Sequence, residues 1–285
     1  MKKFIKYTAL ASAALVMSKG LDNRLETSYY TVGSPKLPDD FDGFKIAHIS
    51  DYHNDPVPGL GDEIRRAEPD IIVMTGDMTH DTPASYTPAI ELISHLSKIA
   101  PCYMVSGNHD IWRSDYEDFI ADCEKAGARF LRNEQVFLKK VESRILLCGM
   151  EDVFTKTRMK QTVEKYLKLF PKTPDYRILL FHRANALDLL KDSGFDLILA
   201  GHMHGGQIRI PGVGGVLSPR SALAESGHIL FPKYFGGLYK NGDCSMIVNR
   251  GLGNPMPIPR FFNRPELGII TLKKIPNQTL DNSGI

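Results

Sequence analysis

The sequence predicts one α/β domain with two packed sheets and outer helices. Three observations carry that reading. In the first third, short apolar runs alternate with longer segments of helical period. Some apolar runs are continuous, as in strands covered on both faces. The last third turns to glycine, proline and short strand-like runs, with no internal repeat and no low-complexity linker. The chain has 285 residues, 42% hydrophobic and 24% charged, so it can bury a core without disulfides or a structural metal. Disorder, collagen and coiled coil are excluded as the main architecture.

Taken in order, 45–50 reads as a strand and 60–68 as a helix that stops before Pro69. Residues 70–75 are a continuous apolar strand. Residues 87–99 carry Ile90, Ile93, Leu96 and Ile99 at helical spacing. A strand at 102–106 and a helix at 116–126 complete a β-α-β-α-β-α series, which implies parallel neighbours and right-handed crossovers. Residues 129–138 and 144–150 read as adjacent strands and 158–170 as a helix. A strand at 177–181, a helix at 186–192 and a strand at 197–200 follow. Residues 207–210, 239–240, 245–249 and 267–272 read as further strands, with Asn241-Gly242 as a hairpin signal.

The first twenty residues differ from the rest. Lys2, Lys3 and Lys6 precede an apolar stretch from Tyr7 to Met17, and Lys19 follows. This pattern resembles a secretory signal or a weak N-terminal membrane anchor; the alternative is a frayed terminus on a cytoplasmic protein. No internal apolar run approaches the ~20 residues of a spanning helix. The net charge of +2 argues against a long nucleic acid as partner. Cys102, Cys123, Cys148 and Cys244 form no C-x-x-C pair and read as buried free thiols.

The metal-capable side chains fall at strand ends. Asp51 and His53 follow the first strand, two apart, so in extended backbone they project to one side. Gly76-Asp77 ends the next strand and Gly107-Asn108-His109-Asp110 the third. His182 ends a later strand, and Gly201-His202-Met203-His204 ends another. The carboxyl ends of strands in an open α/β sheet are where ligands bind. His53, His182, His202, His204, Asp51, Asp77 and Asn108 exceed what one tetrahedral cation can use. They suit two divalent ions sharing a bridging carboxylate. Nitrogen and oxygen ligands without thiolate favour Mn, Fe or Zn.

These blocks resemble the five motif blocks of the calcineurin-like metallophosphoesterase superfamily, over about residues 40–275. His204-Gly205-Gly206-Gln207, Pro232-Lys233-Tyr234, Gly237-Leu238-Tyr239 and Arg250-Gly251-Leu252-Gly253-Asn254 resemble a bacterial, often membrane-anchored branch. That branch contains phosphodiesterases and phosphatases, some acting on the pyrophosphate of a nucleotide-linked lipid. The resemblance implies a four-layer sandwich, two mixed sheets between helices. It implies Asp51, His53 and His204 on one metal, Asn108, His182 and His202 on the other, and Asp77 bridging. It implies His109 over the leaving group, with Asp110 orienting its ring. Many members have Asp where this chain has His80, beside Asp81. His80 then reads as a solvated loop residue or a substrate contact. His48 reads as core, His95 as surface, and His228 receives no role.

The implied chemistry is attack on phosphorus by a metal-bridging hydroxide, with proton donation by His109. Arg113, Arg209, Arg220, Lys233, Arg250, Arg260 and Arg264 are available to an anionic substrate or are surface charges. Tyr234-Phe235 and Phe261-Phe262 read as core or as flanks of an acyl chain. The competing readings are a cyclic-nucleotide phosphodiesterase or nuclease on the same centre, and a non-catalytic scaffold, which the full ligand set disfavours.

Overall fold

The computed structural model describes residues 2–80, 85–153, 159–217, 219 and 230–276. Asp81, Arg220 and His228 lie outside the described residues.

The predicted β-α-β series is present. After helix α1 (Lys2–Gly20) and strand β1 (Glu26–Ser34) come β2 (Lys45–Ile49), α2 (Leu60–Ala67), β3 (Ile71–Met74) and α3 (Thr87–Leu96). Then follow β4 (Cys102–Met104), α4 (Asn108–Ile111), α5 (Tyr116–Lys125) and β5 (Ala128–Phe130). In α2, Leu60 and Ile64 lie one turn apart and are buried, and the helix ends at Glu68 in left-handed backbone before Pro69. β2 to β5 pair in parallel. β14 (Glu266–Lys274) returns antiparallel beside β2, with β1 parallel to it at the edge, giving the order β1-β14-β2-β3-β4-β5.

The second half supplies β6 (Glu134–Lys140), β7 (Ser143–Gly149), α6 (Met159–Leu167), β8 (Arg177–Arg183), α7 (Leu187–Leu190) and β9 (Leu197–Gly201). The ribbon β10 (Arg209–Ile210) and β11 (Gly214–Gly215) precedes β12 (Gly237–Asn241) and β13 (Cys244–Val248). The second sheet runs β12-β13-β9-β8-β7-β6, parallel in its centre and antiparallel at both edges.

Strand alternation builds the layers. In β9, Leu197 and Leu199 enter the cluster between the sheets, while Ile198 and Ala200 enter the cluster under α6 and α7. In β2, Ile46 faces the other sheet and Ala47 and Ile49 face α2, α3 and α5. Three apolar clusters therefore separate helices, sheet, sheet and helices, which is the expected four-layer sandwich. Each fully buried Leu or Ile in these clusters contributes roughly 1.5–3 kcal/mol.

Three local expectations are corrected. The run 129–138 is two strands in two sheets: β5 joins the first and β6 the second, with Asn133 in left-handed backbone at the crossing. The helix at 186–192 is a 3-10 turn, Ala184–Ala186, followed by the short α7. The hairpin turn is centred one residue later, on Gly242-Asp243 between paired Asn241 and Cys244. The edge strand β1 lacks a continuous apolar pattern because it packs one face only. All four cysteines are buried free thiols, as expected.

Candidate metal centre

The carboxyl ends of β2, β3, β4, β8 and β9 bring Asp51, His53, Asp77, Asn108, His109, His182, His202 and His204 to one rim. All of these are buried except His109, which is half-buried. The local backbone differs from the extended chain expected at 51–53. Asp51, His53, Asp77, His202 and His204 all have φ between 47° and 75°. Non-glycine residues rarely adopt left-handed backbone, and here it turns each chain sharply as it leaves its strand, so the side chains converge.

The glycines of the motif blocks let the strand ends touch. A Cβ on Gly107 would overlap Oδ1 of Asp77 and lie 2.7 Å from its Cγ. One on Gly251 would lie 2.7 Å from Cβ of Asp51, and one on Gly201 2.8 Å from Cβ of Ser50.

Three groups of ligand-capable side chains result among the described residues, one of them His53, His80 and His109, and the other two share Asp77. Ligand atoms of Asp51, His53, Asp77 and His204 lie within 4.8 Å of one another, and so do those of Asp77, His182 and His202. Asp77 belongs to both. Its Oδ2 is 3.2 Å from Nε2 of His182 and 3.8 Å from Nε2 of His53, while Oδ1 accepts the His109 amide at 2.8 Å. Asp51 accepts the His202 amide at 3.0 and 3.1 Å, and its Oδ1 is 3.4 Å from Nε2 of His204. Nδ1 of His182 lies 2.7 Å from the Thr75 carbonyl, which can only accept. His182 therefore donates from Nδ1 and turns Nε2 toward Asp77.

A pair of divalent cations fits this donor set. Both side-chain polar atoms of Asn108, both ring nitrogens of His53, Nε2 of His202 and Nδ1 of His204 are buried without a hydrogen-bond partner. Leaving such an atom unpaired costs about 1–3 kcal/mol, which a bound cation would offset. Burial holds His53, His202 and His204 well below the ordinary histidine range, so they stay neutral and ready to ligate. Burial pushes Asp51 up to about 6, crowded further by Asp77. Burial also opposes ionisation of Asp77, but His182 and His109 hold it well below the ordinary carboxylate range. Burial would lower His182, yet Asp77 raises it to about 10; a cation at Nε2 would displace that proton.

Residues 44–206 match the family described as calcineurin-like phosphoesterase. The chain belongs to that family. It is a metallophosphoesterase, a hydrolase of phosphoester bonds, whose Asp and His clusters are positioned for a dinuclear divalent metal centre. It is 30% identical to YkuE of Bacillus subtilis, named as an uncharacterized metallophosphoesterase, across 95% of this chain and 97% of that one. It is 25% identical to the phosphodiesterase YaeI of Escherichia coli, across 95% and 98%. It is 28% identical to a transmembrane protein with metallophosphoesterase domain from Danio rerio, across 84% of this chain and 55% of that protein.

Residues around the metallophosphoesterase centre hold its loops in place. Asp110 accepts the amides of Thr79 at 3.1 Å and Gly107 at 2.8 Å. It thus clamps the loops after β3 and β4, on either side of the turn that carries His109. Burial and Asp77 push Asp110 up to about 7. His80 is half-buried rather than solvated: its ring lies 5.0 Å from His53 and 6.2 Å from His109. Arg113 braces that loop, donating to the His80 carbonyl at 2.7 Å and to both oxygens of Asp115. His48 is core, 2.9 Å from the Thr75 hydroxyl, and His95 is exposed, both as expected.

Some supporting residues escaped the motif reading. Arg183 pairs with Asp152 at 2.6 Å where both are fully buried, directly behind His182. Asn263 donates to the carbonyls of His204 and Gln207. Arg183 carried a signal: it ends a strand that is otherwise apolar but for Arg177 and His182.

Proposed function

We propose that this chain hydrolyses phosphodiesters, with Asp51, His53 and His204 holding one cation, Asn108, His182 and His202 the other, and Asp77 both. The observation that carries the reading is the sharing of Asp77 between two ligand groups, beside an Asn108 amide with no other partner. Two cations held this way would supply a nucleophilic water at neutral pH and offset phosphate charge. His109 is half-buried, edge-on to His53 at 5.0 Å and to Trp112 at 5.6 Å. Its partial exposure leaves it accessible to a substrate whose departing oxygen it can protonate. Asp110 clamps the two loops on either side of the turn that carries it. The name of the Escherichia coli relative supports a diester over a monoester.

Placement at a lipid surface fits α1. No described helix is long and apolar enough to cross a membrane. Yet Phe4, Tyr7, Leu10, Leu15, Val16 and Met17 are each 49–75% exposed, and they point in all directions around the helix axis. A single protein face cannot cover apolar residues on every side, whereas lipid can. An amphiphilic phosphodiester or lipid-linked pyrophosphate suits a site anchored this way.

The test is metal analysis of the purified protein with a phosphoester panel including lipid-linked pyrophosphates. Wild type is expected to bind two divalent ions, manganese, iron or zinc, and to turn over diesters. Asp77→Ala is expected to keep its fold, lose metal and lose hydrolysis. Two bound ions with near-normal turnover in that variant would overturn the assignment.

A further inference from the structure

Among the described residues of the C-terminal third, Lys233 and the arginines other than Arg209 are committed to other groups. Arg260 donates to the carbonyls of Gly253 and Arg250. Arg264 donates to those of Arg24 and Leu25. Arg250 pairs with Glu266 at 3.2 Å and with Glu26 at 3.3 Å. Lys233 pairs with Asp188 at 2.7 Å.

Arg209 is different. Its guanidinium makes no hydrogen bond or ion pair among the described residues, and lies 5.3 Å over the ring of Phe235. The residue is half-buried, and burial together with Arg250 lowers its proton affinity against the opposing pull of Glu266 and Glu26. A guanidinium drawn out of water without an anion is costly, and it is retained where an anion arrives later. Gly236 keeps the approach open, since a Cβ there would lie 3.3 Å from Nη1 of Arg209 and 2.8 Å from Cγ of Arg250.

Topology places this cation beside the metal centre. Gly237, next to Gly236, pairs with Val248, which pairs with Ala200 two residues before His202. Two strand spacings separate Gly237 from Ala200, so Arg209 stands on the same rim at a lateral offset on the order of 10 Å.

We infer that Arg209, stacked on Phe235, binds a second anionic group of the substrate, carried on the alcohol portion away from the phosphorus under attack. The inference rests on the phosphodiesterase reading and narrows it to substrates with two separated anionic groups. A planar guanidinium meets a phosphate, sulfate or carboxylate with paired hydrogen bonds.

The test compares p-nitrophenyl phosphodiesters whose alcohols differ only in a terminal sulfate, over a series of linker lengths. In the full-length enzyme, kcat/KM is expected to favour the sulfated partner by about tenfold at the best length. Arg209→Gln is expected to bring the ratio near unity, and Arg209→Lys to restore part of it. An unchanged ratio in Arg209→Gln overturns the inference. Thermal stability in sulfate against chloride, at equal ionic strength, gives a readout independent of turnover. Sulfate is expected to raise the midpoint of wild type more than that of Arg209→Gln. If no diester is hydrolysed, the phosphodiesterase reading fails, and the sulfate comparison alone decides the anion site: equal shifts overturn it. Loss of the sulfate shift with an unchanged substrate ratio overturns the assignment to substrate.

Discussion

Gly107→Ala adds one methyl group where β4 runs into the ligand loop. The new Cβ would overlap Oδ1 and the backbone nitrogen of Asp77 and stand 2.7 Å from its Cγ, whereas ordinary contact begins near 3.4 Å. Relieving the Cγ contact alone takes about 0.7 Å, and the closer overlaps with Oδ1 and the nitrogen require Asp77 or the loop to move further. The neighbours cannot give way easily, because Asp77 is buried between two ligand groups and Gly107 is itself held by Asp110. Metal–ligand distances tolerate only about 0.2 Å, and a displacement near 1 Å at a reacting centre can cost ~10²-fold in rate. The expected outcome is loss of at least one bound ion, measured by elemental analysis, and a fall in diester turnover of about 10²-fold. Gly43→Ala is the control for the added methyl: nothing lies within 4 Å of its Cβ, although Gly43 has positive φ, at 83°, where Gly107 is extended at −102°. It should cost about 1–2 kcal/mol of stability and leave metal content and turnover intact. A Gly107→Ala protein with two ions and wild-type turnover would refute the packing argument.

Burial holds His48 down to about 4, below its free value of 6.5, so the native state stays neutral where the unfolded chain takes up a proton. Stability is then fully present above pH 6.5 and falls toward pH 4, by about 3 kcal/mol from this group. His48→Gln should flatten that slope in urea unfolding, and an unchanged slope would place the acid sensitivity elsewhere. His109→Ala should retain both ions and lose up to ~10²-fold more rate on alkyl than on p-nitrophenyl diesters, because nitrophenolate leaves without a proton. Equal losses with metals retained would make His109 a stabiliser of charge instead. Removing residues 1–20 should shift the protein from the membrane fraction to the soluble one without changing turnover of a water-soluble diester, and intact protein found wholly soluble would count against the anchor.

The sequence by itself determined the layered α/β fold and the residues that meet at the rim. Both rest on local regularities. Continuous apolar runs such as β9 mark strands covered on both faces, and motif residues fall where strands end. What the tertiary structure decided depends on segments far apart in the chain. The split of 129–138 between two sheets is set by what each half pairs with, β4 on one side and β7 on the other, and not by its own pattern. Asp51 and His53 converge through left-handed backbone that only the packing against the strand ends makes worthwhile. The part played by Asp110 follows from two amides on different loops. The distinction between Arg209 and its basic neighbours is invisible in sequence, because an arginine's availability depends on which carboxylates and carbonyls the fold brings within reach.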